Sequence, residues 1–369
     1  MSATMAAEAP QTTGREAMHA TIDRKALRKL TAQAKRIAGG RVTLPALSGV
    51  KIGADGSTVT LQATDLQTAY LGEVDADVDR PGEVLAPARA LDTLLGKMAG
   101  DTVTVRLDGD RLHLSDGEAD LSLRPMALED FPSLPLELGW REPVAIDAAR
   151  LRSVLDAASP DDDRPVLHAV WIDAEGGEAV ATDSYRLMRG ELDGRGSWTA
   201  LVPAPAVSKA LAAKAGDAVM FEHADGFVRM TVGRHRWVAK LQEGTFPQYR
   251  ALWPDAHEAT VTVDGARLAK AADRIGTIAL GQPNTPVTFE ANGSGVALTA
   301  YNQELGEASE KVPALCHGDV PTIAFNPKYL QAMAASVGSQ LRIDLRDGLK
   351  PAIFVGDRIR GLLMPMRTN

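Results

Sequence analysis

Three short stretches carry residue types that could hold a phosphate or a metal, and each lacks a part it would need. Gly276-Thr-Ile-Ala-Leu-Gly281 has the glycines of a nucleotide loop, but Gln282 and Pro283 follow where a Lys and a Ser or Thr must reach the phosphates. Cys316 and His317 are adjacent, a poor spacing for two ligands on one metal, and the remaining histidines are scattered singly. Asp161, Asp162 and Asp163 offer carboxylates to a divalent cation, yet such a run reads first as a solvated loop. No Ser/His/Asp or Cys/His constellation can be argued from the order of residues. The expectation is a chain with no catalytic activity and no cofactor.

Cationic side chains at helical spacing give a stronger signal. In a helix over residues 22–38, Leu27, Leu30, Ala34 and Ile37 form a core stripe, while Lys25, Arg28, Lys29, Lys35 and Arg36 centre on the opposite side. Over 264–275, Leu268, Ala272 and Ile275 face inward and Arg267, Lys270 and Arg274 cluster opposite. A third helix, 147–158, is weaker, since Arg150 and Arg152 only flank its stripe. With 88–98, 204–214 and 327–337, the six expected helices carry +10, and everything else carries −18, against a net −8. A basic set of helices inside an acidic protein suits a polyanion held at the helices and repelled elsewhere.

The elements that position these helices repeat. Ala-Thr-Asp183-Ser-Tyr-Arg has an earlier copy on Asp65 and a worn later one on Tyr301, and both steps are 118 residues. Phe131-Pro132 recurs as Phe246-Pro247. Three β-rich runs end in Asp23, Asp147 and Asp264, each able to cap a following helix, and second helices start near Pro87, Pro205 and Pro327. Between helices the apolar residues alternate, with Asp-Gly turns at Asp108, Asp225 and Asp347. The fold class expected is α+β: three tandem copies of a two-helix, antiparallel-sheet domain. The expected boundaries are 18–137, 138–256 and 257–369, after a disordered leader at 1–17 that has no basic or apolar signal region.

A chain of 369 residues that is 45% hydrophobic can build that many cores. No run approaches the roughly 18 apolar residues that cross a bilayer. The single cysteine, Cys316, excludes an internal disulfide and fits a reducing cytoplasm.

Several further stretches, in order along the repeat, carry a family resemblance: Gly39-Gly40-Arg41-Val-Thr-Leu-Pro45, Ala181-Thr-Asp-Ser-Tyr-Arg-Leu187, Leu241-Gln-Glu-Gly-Thr-Phe-Pro-Gln-Tyr-Arg250, Phe325-Asn326 and Leu363-Met-Pro-Met-Arg367. From Met18 to Arg367 the sequence resembles the β subunit of bacterial DNA polymerase III, the replication sliding clamp. That resemblance implies a non-catalytic processivity factor: two subunits close head to tail into a six-domain ring, helices inside and sheet outside, around duplex DNA. Size agrees, since six domains of roughly 17 Å radius leave a hole about 34 Å across, wide enough for a duplex of about 20 Å. The resemblance makes Arg41 a pore residue; Arg28, Lys29, Lys35, Arg267, Lys270 and Arg274 are added from helical phase. It also implies an apolar groove for linear peptides of polymerase, clamp-loader ATPase and repair proteins, matched by Leu167, Thr182, Tyr185, Arg186, Leu187, Pro247, Leu252, Met364, Pro365 and Met366. Ser184-Tyr185 stands where the family more often has Gly-His, and Ala251 where a second Arg is common. Asp161 to Asp163 replace polar, DNA-compatible residues. Closure is expected through domains one and three, with Thr277 to Leu280 near the contact. A specialised second copy of the clamp, with altered partner or inhibitor binding, is the alternative.

Overall fold

The computed structural model describes residues 18–38, 44–254, 256–279, 285–292, 295–338 and 340–367. Among these are six α-helices: α1 (Arg24–Ala38), α2 (Ala88–Lys97), α3 (Ala148–Leu155), α4 (Ala204–Leu211), α5 (Gly265–Ala279) and α6 (Pro327–Val337). The capping aspartates act as their positions suggest. Asp23, Asp147 and Asp264 accept the backbone N–H of Ala26, Arg150 and Arg267 at 2.7, 2.8 and 2.9 Å, satisfying donors that a helix start leaves free. Pro87 occupies the N-cap position of α2 without a side-chain cap, Pro205 lies in the first turn of α4, and α6 begins at Pro327, with Asn326 accepting from Lys328 N at 3.0 Å. Leu27, Leu30, Ala34 and Ile37 of α1 and Leu268, Ala272 and Ile275 of α5 are buried, as their spacing requires.

The chain forms two compact units, one of residues up to Leu136 with Arg234–Trp237, the other of Glu137–Gly233 with Val238 onward. In the first, antiparallel strands run in the order Asp120–Leu123, Arg111–Ser115, Thr102–Asp108, His19–Asp23, Thr68–Arg80. The long last strand also pairs with Thr58–Thr64, which pairs with Gly49–Asp55, and α1 packs on both Thr58–Thr64 and Thr68–Arg80. Inside this unit the Tyr70 hydroxyl lies 2.8 Å from His235 Nδ1, and the Tyr70 ring is 5.3 Å from that of Trp237. Burial, then the charge of Lys29, lowers the His235 pKa below its ordinary 6.5. The unfolded chain therefore takes up this proton first, so the contribution is intact above about pH 6.5 and is lost as pH falls below it. The first unit is expected to melt earlier at pH 5.5 than at pH 7.5, and His235→Gln to flatten that dependence; scanning calorimetry at the two pH values checks it.

The second unit is built on a nine-stranded antiparallel sheet. Its order is Thr199–Pro203, Ala169–Asp173, Glu178–Thr182, Arg186–Glu191, Ile359–Leu363, Ala352–Gly356, Leu341–Leu345, Ala259–Val263, Ala314–His317. The strand from near residue 360 thus pairs with one from near 190, Arg186 facing Leu363 and Leu187 facing Leu362. A four-stranded sheet, Gly306–Val312, Gly295–Asn302, Val287–Asn292, Ile323–Phe325, completes the part on which α5 packs.

Three hairpin turns share one construction. Asp65 Oδ1 accepts from Gln67 N and Thr68 N at 3.0 and 2.6 Å; Asp183 Oδ1 accepts from Tyr185 N and Arg186 N at 3.0 and 2.9 Å. In the third, Asn302 Oδ1 accepts from Glu304 N and Leu305 N at 2.9 and 3.0 Å. The worn copy is therefore carried by Asn302 and not by its neighbour Tyr301, because the turn needs a short side-chain acceptor and a tyrosine has none.

Candidate functional site

The hairpin at Asp183 gathers several candidate residues. Thr182 Oγ1 donates to Arg186 O at 2.7 Å, and Ser184 takes a left-handed φ of 78° just before Tyr185. Tyr185 is 60% exposed and its ring stacks at 6.3 Å on Tyr329 of α6. Arg186 Nε donates to Asp183 Oδ2 at 3.0 Å, and its guanidinium lies 4.6 Å over the Tyr329 ring. Burial, then the Asp183 charge, raises the Tyr329 hydroxyl above its ordinary range, so it stays neutral. Met364 N donates to Tyr185 O at 2.9 Å, which fixes the C-terminal segment against this turn.

Two clefts flank these groups. Met364, Pro365 and Met366 line one of about 920 Å³ with Thr322, Ala324 and Leu349. Pro247 and Ala251 line another of about 600 Å³ with Trp171 and the segment from Gly244. Leu252 ends a short turn of 3₁₀ helix, Tyr249–Leu252, and is exposed. Leu167 sits half-buried at the base of the acidic loop, its N–H donating to Arg164 O at 2.9 Å. The neighbouring Val166 packs on the core cluster and against Gly244, where φ is 132° and a Cβ would come within 2.5 Å of it. Leu187 differs from the rest: it is 1% exposed, in a cluster with Phe246, Tyr249, Ile353 and Leu362, and so forms a floor and not an accessible anchor. Trp171, stacked on Phe246 at 5.9 Å, and Tyr329 escaped the sequence reading. Alternation along Ala169–Asp173 pairs Trp171 with Ala169 on one face and was the available signal for it; α6 offered none for Tyr329.

The basic helices divide into free and engaged cations. Arg28, Lys29, Arg267 and Lys270 are exposed and form no ion pair among the described residues. Lys35 instead pairs with Asp92 of α2. Arg274 holds Glu310 through two nitrogens, one at 2.9 Å, and this hydrogen bonding lowers the Glu310 pKa. Lys35 and Arg274 thus have their charge answered within the chain, which helical phase could not reveal. Arg41 lies outside the described residues. Asp161 to Asp163 are exposed with carboxylate oxygens within 4.8 Å of one another, and Asp161 Oδ1 accepts from Asp163 N at 3.1 Å, as in an ordinary polar turn.

Against known proteins, family models described as the DNA polymerase III beta subunit match at both ends: the N-terminal domain at residues 18–135 and the C-terminal domain at 250–367. The Beta sliding clamp of Caulobacter vibrioides is 30% identical over 373 residues, covering 95% of this chain and all of that one. The chain belongs to the DNA polymerase III beta subunit family. Among sliding clamps, that of Micrococcus luteus is 31% identical over 316 residues, covering 80% of this chain and 99% of its own. Two solved sliding clamps have the same fold. The Caulobacter crescentus structure gives a TM-score of 0.83 at 29% identity, over 96% of this chain and 100% of that one. The Pseudomonas aeruginosa structure, bound to griselimycin, gives 0.84 at 26%, over 95% and 100%. No helix among the described residues of this chain is long and apolar enough to cross a membrane.

Proposed function

We propose that the chain acts as a head-to-tail dimer, a ring of six domains that encircles duplex DNA and tethers a replicative polymerase, without catalysis of its own. The observation that carries this reading is the shared turn at Asp65, Asp183 and Asn302. Each stands in the same succession of strand, helix, strands, helix, strands, which supports three domains at 18–137, 138–256 and 257–369. Edge strands Asp120–Leu123 and Gly306–Val312, in the first and third of these, suit closure by a twofold partner, with Thr277 at the end of α5 near the contact. Arg28, Lys29, Arg267 and Lys270 face the phosphates, which fix position without reading bases and so permit sliding. Loading falls to a separate ATPase, in the cytoplasm.

Tyr185, Arg186, Met364, Pro365 and Met366, with Pro247 and Leu252, form the groove for partner peptides. Exposed apolar side chains over a rigid floor suit an extended segment, and methionines adapt to its sequence. Sedimentation at micromolar concentration is expected to give a dimer. Protein loaded on nicked circular DNA by the host loader should survive a high-salt wash and be released when the circle is cut. Equal retention on circular and linear DNA would remove encirclement.

A further inference from the structure

The segment Gly244–Leu252, which carries Pro247 and Leu252, is fastened over the nine-stranded sheet by charges that are themselves buried. Asp173 and Glu178 face each other across neighbouring strands and are only 6% and 3% exposed. Two carboxylates in that position are costly unless cations and donors meet them. Arg250 reaches down from the segment to Asp173 Oδ2 at 2.6 Å and to Glu178 Oε1. Arg189, one strand further on, pairs with Glu178 Oε2, and the Tyr249 hydroxyl donates to Glu178 Oε1. Two anions and two cations balance, and both oxygens of Glu178 are used. Phe246 and Tyr249 already fix the middle of the segment in the core, but Pro247 and Leu252 are exposed and have no comparable anchorage of their own.

We infer that Glu178 is a positioning residue of the peptide groove: through Tyr249 and Arg250 it holds the turn Tyr249–Leu252, and with it Pro247 and Leu252, in the conformation that a ligand meets. This rests on the groove reading above. A wall fixed before binding spares the ligand the cost of ordering it. Glu178→Gln keeps the shape and one acceptor but removes the charge that Arg250 and Arg189 answer. Arg250→Ala cuts the same latch from its exposed side and leaves the Asp173 carboxylate without its cation, so a denaturant melt of each variant accompanies the titration.

Griselimycin is the probe, titrated into wild type, E178Q, R250A and Met364→Ala, with hydrogen exchange of residues 244–252 followed in parallel. E178Q and R250A are expected to bind roughly tenfold more weakly. Exchange should quicken in 244–252 while the sheet stays protected, and saturating griselimycin should restore protection, a coupling that a merely structural role would not produce. Wild type that binds, beside E178Q and R250A within twofold of it or with unchanged exchange, overturns the latch alone. Wild type that does not bind, or Met364→Ala that binds normally, overturns the groove reading and this inference with it.

Discussion

Arg28→Glu combined with Lys270→Glu is expected to weaken equilibrium binding of the protein to linear duplex DNA at least tenfold near 0.1 M salt, with almost no change in melting temperature. Both side chains are exposed and opposite the core stripes of α1 and α5, and neither forms an ion pair among the described residues. Exposed substitutions of this kind stay within about 0.5 kcal/mol of wild type. Each lost phosphate contact, by contrast, removes about 0.9 from the slope of log affinity against log salt, so the variant should show a shallower slope on any DNA sequence. Arg274→Glu makes a useful contrast. It places a carboxylate against Glu310, so its effect should fall on α5 and the strand Gly306–Val312 before it falls on DNA. Binding to linear duplex measured at 50 and 200 mM salt, beside melting curves, separates the two; unchanged binding by the double variant removes the pore assignment.

Leu187→Ala and Met364→Ala should fail in opposite ways. Leu187 is enclosed by Phe246, Tyr249, Ile353 and Leu362, and truncation leaves a cavity that costs about 2–5 kcal/mol of stability. Met364 is 41% exposed and lines its cleft, so truncation there leaves the fold alone and, on the proposed groove, removes an anchor. Loss of a central anchor commonly costs about 2 kcal/mol or more, roughly thirtyfold in affinity. Denaturant melts should single out Leu187→Ala and griselimycin titration Met364→Ala. A Met364→Ala chain that is folded and binds normally would strip the C-terminal residues of their role.

The two kinds of helix start, the core stripes and the antiparallel α+β class were legible because they depend on local spacing and on capping by neighbours in sequence. Asp23, Asp147 and Asp264 act within three residues of themselves, and nothing distant competes. What stayed hidden depends on partners far along the chain. Lys35 looked as free as Lys29 until Asp92 of another helix was seen beside it, and Arg274 until Glu310 was. Leu187 looked like a groove anchor, because the same alternation that faces it away from the helices cannot say that Phe246 and Tyr249 cover it. Tyr301 was taken for the centre of a worn motif by its spacing, whereas the turn selected the acceptor next to it, Asn302.

The pairing of Arg186–Glu191 with Ile359–Leu363 also bears on how the chain is made. A ribosome releases the earlier strand roughly 170 residues before its neighbour, a wait on the order of ten seconds or more at about 5–20 residues per second. Through that interval one side of the Arg186–Glu191 strand is an open edge in the middle of what will become the nine-stranded sheet. The first unit needs only Arg234–Trp237 beyond its own residues and is free to settle early. The second cannot close before residue 363 is translated, so nascent chains stalled in the last third should be the species that chaperones bind and proteases clear.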